Sequence, residues 1–303
     1  MASVLLACGG GNGNEPSADA GTPSMILGTP VSADEAQPWN GMAPIEVISQ
    51  NGDLTIIGDS SDGKIHITGT PFVVAVAGDP NIAPALADVA SGIAVDGTNQ
   101  IGASCSYASR TYGDIARTST GCMNVVVHLP PGTAMQPLRL TAHAYNGPLT
   151  VENVNLFDVA CSGGCPPNIQ SNVLADNGAL VATGLVGSVY ALAKAGDLTV
   201  SATPNAPQQI PNPMQQGTFI TESSTITIES VKGNVALSLP SDFATNSLTL
   251  DATSGTCTVS GFPDTGWSNP GNECNSLARG TEGTGAGSIS AIADDGNLTL
   301  TSM

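Results

Sequence analysis

Apolar and polar residues alternate along most of the chain, and this period of two predicts strands rather than helices. In the stretch from residue 232 to residue 261, every second residue is aliphatic from Val235 to Leu239, and the alternation returns at Leu248 and Leu250. Side chains two positions apart lie on the same face of a strand. The pattern therefore predicts short strands that each bury one face.

The same strand unit occurs twice, 110 residues apart, and a shorter signature recurs along the chain. The matched aliphatic positions are Val127 and Leu237, Leu129 and Leu239, Leu138 and Leu248, and Leu140 and Leu250. The shorter signature reads NGDLTI, DGKIHI, NGPLTV, AGDLTV and DGNLTL, at 51–56, 62–67, 146–151, 195–200 and 295–300. Glycines at 178, 187 and 196 follow at intervals of nine. These regularities indicate one structural unit that is used repeatedly.

Short strands separated by regular glycine turns are typical of a sandwich, a barrel or a β-solenoid. Near-identical successive units favour the solenoid, in which each coil buries its apolar face on the next. We therefore expect an all-β protein, a right-handed parallel β-helix (β-solenoid) forming one elongated domain over residues 45–303, because right-handed crossovers are the strong default. A β-sandwich is the alternative.

The pattern LSLP…LTLDATSG…V, with its repeated GDLTV strands, resembles the "putative adhesin" family of bacterial β-solenoid domains. The resemblance extends from Ile45 to the end of the chain and is clearest between Val231 and Val259. It implies a parallel β-helix in a cell-envelope setting. It brings no defined catalytic motif.

The composition suits a repetitive all-β protein, since 36 of 303 residues are glycine and only 4% are aromatic. The formal net charge of −18 argues against nucleic acid as a partner, because phosphate neutralisation needs lysine and arginine. The acidity favours solubility in an extracellular medium, or carboxylates that hold a structural Ca²⁺. The best Ca²⁺ candidates are Asp59, Asp62, Asp294 and Asp295, although aspartate is also an ordinary turn residue.

The N-terminal run Leu5-Leu6-Ala7-Cys8 looks like a lipobox, the site at which bacteria cleave a secretory signal and attach lipid to the cysteine. We expect a lipobox over residues 1–8 with lipid on Cys8, then a flexible Gly/Pro/Ser-rich tether over residues 9–44. This arrangement predicts export and lipid anchoring at the outer membrane or cell surface. A secreted protein is the alternative.

A lipidated Cys8 would leave six cysteines, an even number that agrees with an oxidising compartment. Their spacings of 17, 4 and 17 residues predict three local disulfides in sequence order, out of fifteen possible pairings. The predicted pairs are Cys105–Cys122, Cys161–Cys165 and Cys257–Cys274. Cys257 stands where the repeat places an inward aliphatic residue, so a buried free thiol is the alternative there. A zinc site at Cys161 and Cys165 lacks nearby further ligands.

No familiar catalytic motif is present in the sequence, and His66 and His128 stand in alternating strands as outward-facing residues. Parallel β-helices include polysaccharide lyases and hydrolases, and a glycosidase needs two carboxylates at a suitable separation. The pairs to consider are Asp176 with Asp197 and Glu222 with Glu229.

From the sequence we therefore expect a non-enzymatic envelope lipoprotein, an adhesin or scaffold that binds a glycan or a surface protein. No cofactor is expected beyond a possible structural Ca²⁺, and nucleic acid is not an expected partner. The alternatives are a polysaccharide lyase or hydrolase built on a β-helix, and a purely structural component of an envelope or filament.

Overall fold

The computed structural model describes residues 22, 24–35, 38–39, 44–91, 93–95, 100–103, 111–112, 115–116, 121–133, 137–156, 171–204, 208–211, 219–222, 224–243, 245, 247–262, 267–268, 278–279 and 287–303. Its strands are β1 (Ser24–Leu27), β2 (Val31–Asp34), β3 (Ile45–Asn51), β4 (Leu54–Gly58), β5 (His66–Ala75), β6 (Ile93–Val95), β7 (Gln100–Ala103), β8 (Thr111–Tyr112), β9 (Ile115–Ala116), β10 (Gly121–Leu129), β11 (Leu140–Asn146), β12 (Leu149–Glu152), β13 (Ser171–Asn177), β14 (Leu180–Val186), β15 (Val189–Ala193), β16 (Leu198–Thr203), β17 (Gln208–Pro211), β18 (Phe219–Glu222), β19 (Thr225–Ser230), β20 (Val235–Leu239), β21 (Ser247–Ala252), β22 (Cys257–Ser260), β23 (Trp267–Ser268), β24 (Ala278–Arg279), β25 (Ser288–Ala293) and β26 (Leu298–Ser302). The helix α1 spans Ile82–Ala90.

Two large sheets contain most of these strands, which confirms the all-β prediction apart from the nine-residue helix. The nine-stranded sheet has the order β21-β25-β19-β15-β13-β11-β3-β7-β6. The eleven-stranded sheet has the order β1-β5-β10-β4-β12-β14-β16-β20-β26-β22, with β2 also paired to β5. From β3 to β21 the nine-stranded sheet is parallel, and so is the eleven-stranded sheet from β10 to β22.

The chain alternates between the two sheets, because a strand of the nine-stranded sheet is followed by a strand of the eleven-stranded sheet. We call each such pair a two-strand unit. The units in the described parts of the chain are β3–β4, β11–β12, β13–β14, β15–β16, β19–β20, β21–β22 and β25–β26. Each unit thus contributes one strand to each of the two sheets. Neighbouring units are joined by parallel hydrogen bonding in both sheets.

Aliphatic side chains of equal register form continuous rows between the two sheets. One row crosses the eleven-stranded sheet through Leu54, Leu149, Leu180, Leu198 and Val235, all at most 1% exposed. The residue that follows each of them is more exposed and points outward, as the period of two predicts. The core is therefore a set of stacked aliphatic rows rather than a single central cluster.

Glycines at the turn between the two strands of each unit stack on one another. A Cβ atom at Gly147 would lie 2.2 Å from the carbonyl oxygen of Gly52, and one at Gly178 would lie 2.2 Å from the carbonyl oxygen of Gly147. The column continues through Gly196 and Gly233 with the same contact. A side chain at any of these positions would force the neighbouring backbones apart, which explains the glycine in four of the five copies of the recurring signature. The fifth, Gly63, lies outside the column and has a φ of +76° instead.

Polar side chains next to this glycine column link successive units. The Asn234 side chain donates to the Asp197 carboxylate at 3.1 Å, and the Asn297 side chain donates to the Asn234 carbonyl oxygen at 3.2 Å. The Thr256 hydroxyl then donates to the Asn297 carbonyl oxygen at 2.9 Å. These hydrogen bonds satisfy the polar groups of the turn and fix the register between units.

The last unit in the sequence is not the last in space. The unit β25–β26 lies between β19–β20 and β21–β22 in both sheets, so the expectation that each coil packs on the next along the chain is wrong here. All units present matching aliphatic rows on both sides. Neighbour order therefore depends on the connecting segments, whose length the periodic pattern does not encode.

The register of the 110-residue repeat also needs one correction. Leu129 and Leu239 are both fully buried at the ends of strands of the eleven-stranded sheet, as predicted. Leu140 and Leu250 are both buried, but the row that contains Leu250 continues to Ala142 instead of Leu140. Counted between equivalent positions, the step from Leu129 to Leu140 is two residues longer than the step from Leu239 to Leu248, which shifts the offset to 108.

The segment predicted as a tether contains two strands of the eleven-stranded sheet. β1 pairs with β5 in antiparallel fashion from Ser24 to Leu27, and β2 pairs with it from Val31 to Asp34. The antiparallel strand β5 lies next to β10, where the parallel part of the sheet ends. The folded body therefore includes residues that precede Ile45. Residues 1–21 lie outside the described residues.

Candidate functional site

The outer face of the nine-stranded sheet carries a group of rings and charges that we call the ring–acid patch. Its members are His143 and Tyr145 on β11, Asp176 on β13, Tyr190 on β15, Lys194 directly after β15, and Glu229 on β19. Alternation puts the strand members outward, because the residue just before each of them, such as Ala142 or Ala144, is buried. Stacking of units then brings side chains from distant parts of the sequence together.

The centre of the patch is a ring pair beside an ion-paired carboxylate. The ring centroids of His143 and Tyr145 are 3.9 Å apart, with an angle of 32° between the ring planes. Asp176 Oδ1 lies 2.8 Å from Lys194 Nζ and 3.2 Å from His143 Nε2. The Asp176–Lys194 contact is an ion pair, and the His143 Nε2 contact is a close approach without hydrogen-bond alignment. Tyr145 is 40% exposed and the Lys194 side chain 54% exposed, so both can reach a partner.

The electrostatics keep Asp176 ionised. The Lys194 ammonium holds the pKa of the Asp176 carboxyl below its ordinary value, and His143 acts in the same direction, whereas partial burial opposes both. A glycosidase needs one carboxylic acid whose pKa is raised so that it can protonate the leaving group. Asp176 is shifted in the opposite direction, so it suits hydrogen-bond acceptance better than general acid catalysis.

The second half of the patch is the pair Tyr190 and Glu229. The Tyr190 hydroxyl donates to Glu229 Oε2 at 3.4 Å, and burial followed by the Glu229 charge raises the pKa of Tyr190. His143 and Glu229 occupy the same register row, separated by Leu174 and Leu192 on the strands between them. At about 4.8 Å per strand, this row extends over about 14 Å. The patch is therefore an elongated surface in which aliphatic residues separate two polar ends.

A second polar group lies on the eleven-stranded sheet, and we call it the His66 cluster. His66 and His128 stand opposite each other in the antiparallel register of β5 and β10. His66 Nδ1 lies 3.0 Å from Asp34 Oδ1, and His66 Nε2 lies 3.0 Å from Asp62 Oδ1. His128 Nδ1 lies 2.8 Å from Asp59 Oδ1. Both histidines point outward, as predicted, but they contact carboxylates as well as solvent.

The carboxylates of three Ca²⁺ candidates, Asp59, Asp62 and Asp295, contact protein groups. Asp62 accepts hydrogen bonds from the Ser60 hydroxyl and the Lys64 amide in addition to its contact with His66. Asp294 and Asp295 lie in the turn after β25, where their amides donate to backbone carbonyls of the neighbouring unit. Among the described residues, no three His, Cys, Asp or Glu side chains are placed to hold a metal ion. Ca²⁺ binding at any of these residues stays a prediction.

The cysteine predictions fall mostly on parts of the chain that the structure does not describe. Cys8, Cys105, Cys161, Cys165 and Cys274 all lie outside the described residues, and only the backbone of Cys122 is described, in β10. Cys257 packs partly buried against the core and is disulfide-bonded. The three predicted pairings, including Cys257–Cys274, stay predictions.

The carboxylates considered for catalysis do not form one site. Asp176 contacts His143 and Lys194, whereas Asp197 accepts hydrogen bonds from the backbone and side chain of Asn234 at the turn before β16. Glu229 contacts Tyr190, and only the backbone of Glu222 is described. Sequence reasoning missed the ring–acid patch because its members come from four units of unrelated local sequence. The outward position of His143 between buried alanines was the available signal.

Comparisons with known proteins gave a weak structural likeness. No protein-family model and no curated protein matches the chain. A solved structure described as "a putative cell adhesion protein from Clostridium sporogenes" superposes with a TM-score of 0.40 and 10% identity, covering 91% of this chain and 100% of that chain. Another, "a putative adhesin" from Bacteroides fragilis, gives a TM-score of 0.22 and 8% identity, covering 91% and 97% respectively. The likeness to these adhesin-like proteins is distant.

Proposed function

We propose that the protein is an exported, lipid-anchored β-solenoid that acts as a non-enzymatic adhesin or scaffold of the cell envelope and binds a glycan through the ring–acid patch. The observation that carries the proposal is the patch itself. An exposed tyrosine stacked on a histidine lies beside an ion-paired carboxylate on a rigid parallel sheet. Because the sheet is hydrogen-bonded on both sides of these strands, the patch needs little ordering when it binds.

The chemistry of the patch fits a sugar. Aromatic rings offer a flat apolar surface for the C–H face of a pyranose, and ionised carboxylates accept hydrogen bonds from its hydroxyl groups. The row of about 14 Å has room for several sugar units rather than one. The net charge of −18 disfavours polyanionic glycans, so we propose an uncharged or amino-bearing polysaccharide.

The solenoid part of the proposal is supported by the alternation of strands between two parallel sheets and by the continuous glycine column. Right-handed coiling follows the general preference for parallel crossovers. A solenoid is a stiff rod whose outer faces stay accessible along its length. No helix in the described parts of the chain is long and apolar enough to cross a membrane.

A glycan array run alongside turnover assays tests the function. We expect the mature protein to bind a subset of polysaccharides and to leave their reducing and unsaturated ends unchanged. Release of new ends would favour a hydrolase or lyase, while a protein that assembles on the envelope without binding any glycan would favour a structural role. If the protein instead binds proteins of the cell surface, the adhesin role is retained and its partner is a protein rather than a glycan.

The lipid anchor has a separate test. With Cys8→Ser introduced into the full-length precursor, we expect the folded protein to move from the membrane fraction to the soluble fraction, because stable anchoring depends on the acyl chains. Fractionation followed by intact mass measures both position and modification. A wild-type protein that is soluble with an unmodified Cys8 would contradict the anchor and leave the glycan proposal standing.

A further inference from the structure

We propose that Asp34, His66 and Asp62 form a pH-sensitive clamp, which holds the segment from Val31 to Trp39 on the eleven-stranded sheet while His66 is protonated. Loss of one proton from His66 loosens the clamp. The segment lies between β1 and β3, which both belong to the two large sheets, so the clamp controls how firmly the segment itself is docked on the sheet.

The protonation state of His66 follows from geometry. Its two ring nitrogens each lie 3.0 Å from a carboxylate oxygen, Nδ1 from Asp34 and Nε2 from Asp62. An ionised carboxylate only accepts hydrogen bonds, and a neutral imidazole has only one N–H to donate. Both contacts are hydrogen bonds only when His66 is an imidazolium ion. A neutral ring must face one of the two carboxylates without a proton between them.

The three residues belong to three different parts of the fold, so the clamp ties these parts together. Asp34 is the last residue of β2 and stands opposite His66, the first residue of β5. Asp62 belongs to the turn between β4 and β5, where hydrogen bonds from Ser60 and from the Lys64 amide fix its carboxylate. Losing one contact therefore breaks the side-chain link between β2 and this turn, while β2 remains paired with β5 through its backbone.

The backbone beyond Asp34 continues along the same edge. The Glu35 amide donates to the Ile65 carbonyl at 2.9 Å, and the Trp39 amide donates to the Gly63 carbonyl at 2.9 Å. Trp39 packs partly buried against the core. These contacts follow directly on the clamp in sequence, so weaker attachment of Asp34 exposes them to fraying.

Several other charged or titratable groups face the clamp. His128 on β10 lies opposite His66 and contacts Asp59, and Lys64 follows Asp62 in the turn. Glu35 follows Asp34, and burial raises its pKa, so its ionisation also disfavours docking of the segment as the pH rises above its ordinary value of 4.5. A test must therefore separate His66 from Glu35.

The direction of the pH dependence follows from the pKa shifts of His66 and Asp62. Hydrogen bonds to Asp62 and then Asp34 raise the pKa of His66 above its ordinary value of 6.5. Its stabilisation is therefore complete below 6.5 and is lost as the pH rises through the raised pKa. The Lys64 amide and His66 lower the pKa of Asp62 from 3.8 to about 2, so that side of the clamp is lost only in strong acid. The clamp is closed in the mildly acidic range and opens as the pH rises through the raised pKa of His66.

Amide hydrogen exchange of the full-length protein between about pH 5 and about pH 8 tests the clamp, with rates corrected for the intrinsic effect of pH. We expect protection of residues 31–35 and 39 to fall as the pH rises, by at most about tenfold per unit, the limit for one proton. His66→Gln made in a Glu35→Gln background should abolish this slope, whereas Glu35→Gln alone and the matched change His143→Gln on the other sheet should keep it. A wild-type slope of zero, or a slope that survives in the double variant, overturns the clamp.

A second measurement does not depend on how well His66→Gln folds. The chain has three histidines, so their ring resonances can be followed individually by NMR during a pH titration. We expect Asp34→Asn to lower the titration midpoint of His66 and to leave that of His143 unchanged, because the carboxylate on Nδ1 is replaced by a neutral amide. An unchanged His66 midpoint overturns the proposal.

Discussion

Leu180→Ala is expected to lower the free energy of unfolding by about 2–5 kcal/mol, as full truncation of a buried leucine does. Leu180 is fully buried and lies in the middle of an aliphatic row, between Leu149 on β12 and Leu198 on β16. These neighbours are held in register by the ladders on both sides, so they cannot collapse far into the cavity. Urea denaturation followed by circular dichroism measures the loss.

The next residue along the chain provides the matched control. Val181 occupies the same strand but points outward and is only partly buried. We expect Val181→Ala to change the free energy of unfolding by no more than about 0.5 kcal/mol. Equal losses for the two variants would contradict the assignment of inward and outward faces in β14, and with it the row structure of the core.

Gly147→Ala is expected to destabilise the protein by about 2–5 kcal/mol, because two costs add at this position. Gly147 has a φ of +146°, in a region that residues with a side chain rarely adopt, and such backbone strain costs about 1–2 kcal/mol. A new Cβ would also lie 2.2 Å from the Gly52 carbonyl oxygen, so the two units must separate, and overpacking of this kind costs about 1–3 kcal/mol. Thermal or urea denaturation measures the sum.

Two other glycines separate these costs. Gly178 lacks a positive φ but has the same 2.2 Å approach, to the Gly147 carbonyl oxygen, so Gly178→Ala should show only the packing cost. Gly78 has a φ of +90° with open space around it, so Gly78→Ala should show only the backbone cost. A Gly147→Ala variant no less stable than Gly78→Ala would contradict the stacked glycine column.

Local patterns in the sequence were sufficient to predict the strands and their faces. Alternation from Val235 to Leu239 identified β20 together with its buried face, and the recurring signature located the glycine column. Both depend on contacts that every unit repeats, such as the approach of Gly178 to Gly147. Residues that make a contact required in every unit recur in every unit, so the repeated pattern reveals them.

Features that depend on one particular connection were not predictable. The insertion of β25–β26 between earlier units depends on the segment that joins β22 to β25, and the two-residue register shift depends on the connection before β11. The tether prediction missed β1 and β2, which pair with β5 across about 40 residues of sequence. Short edge strands of this kind have too little periodicity of their own to be recognised.

The candidate site was harder to predict than the fold. His143, Asp176 and Lys194 come together only because three strands are aligned in one register, and no spacing in the sequence encodes that alignment. The same applies to His66 and His128, whose pairing depends on the antiparallel contact of β5 and β10. Sequence reasoning identified the outward positions of these two histidines and could not identify their partners.

The measurement that tests the central claim most directly compares glycan binding by variants of the two sheet faces on the same array. Tyr145→Ala and Asp176→Asn alter the ring–acid patch, while Thr199→Ala alters an exposed residue on the outer face of the eleven-stranded sheet and serves as the control. All three variants should first be shown to have the same urea midpoint of unfolding as the wild-type protein. We predict at least about a tenfold loss of affinity in the two patch variants, equal to about 1.4 kcal/mol, and wild-type affinity in Thr199→Ala. Full binding by both patch variants, or equal losses in all three, would contradict the account.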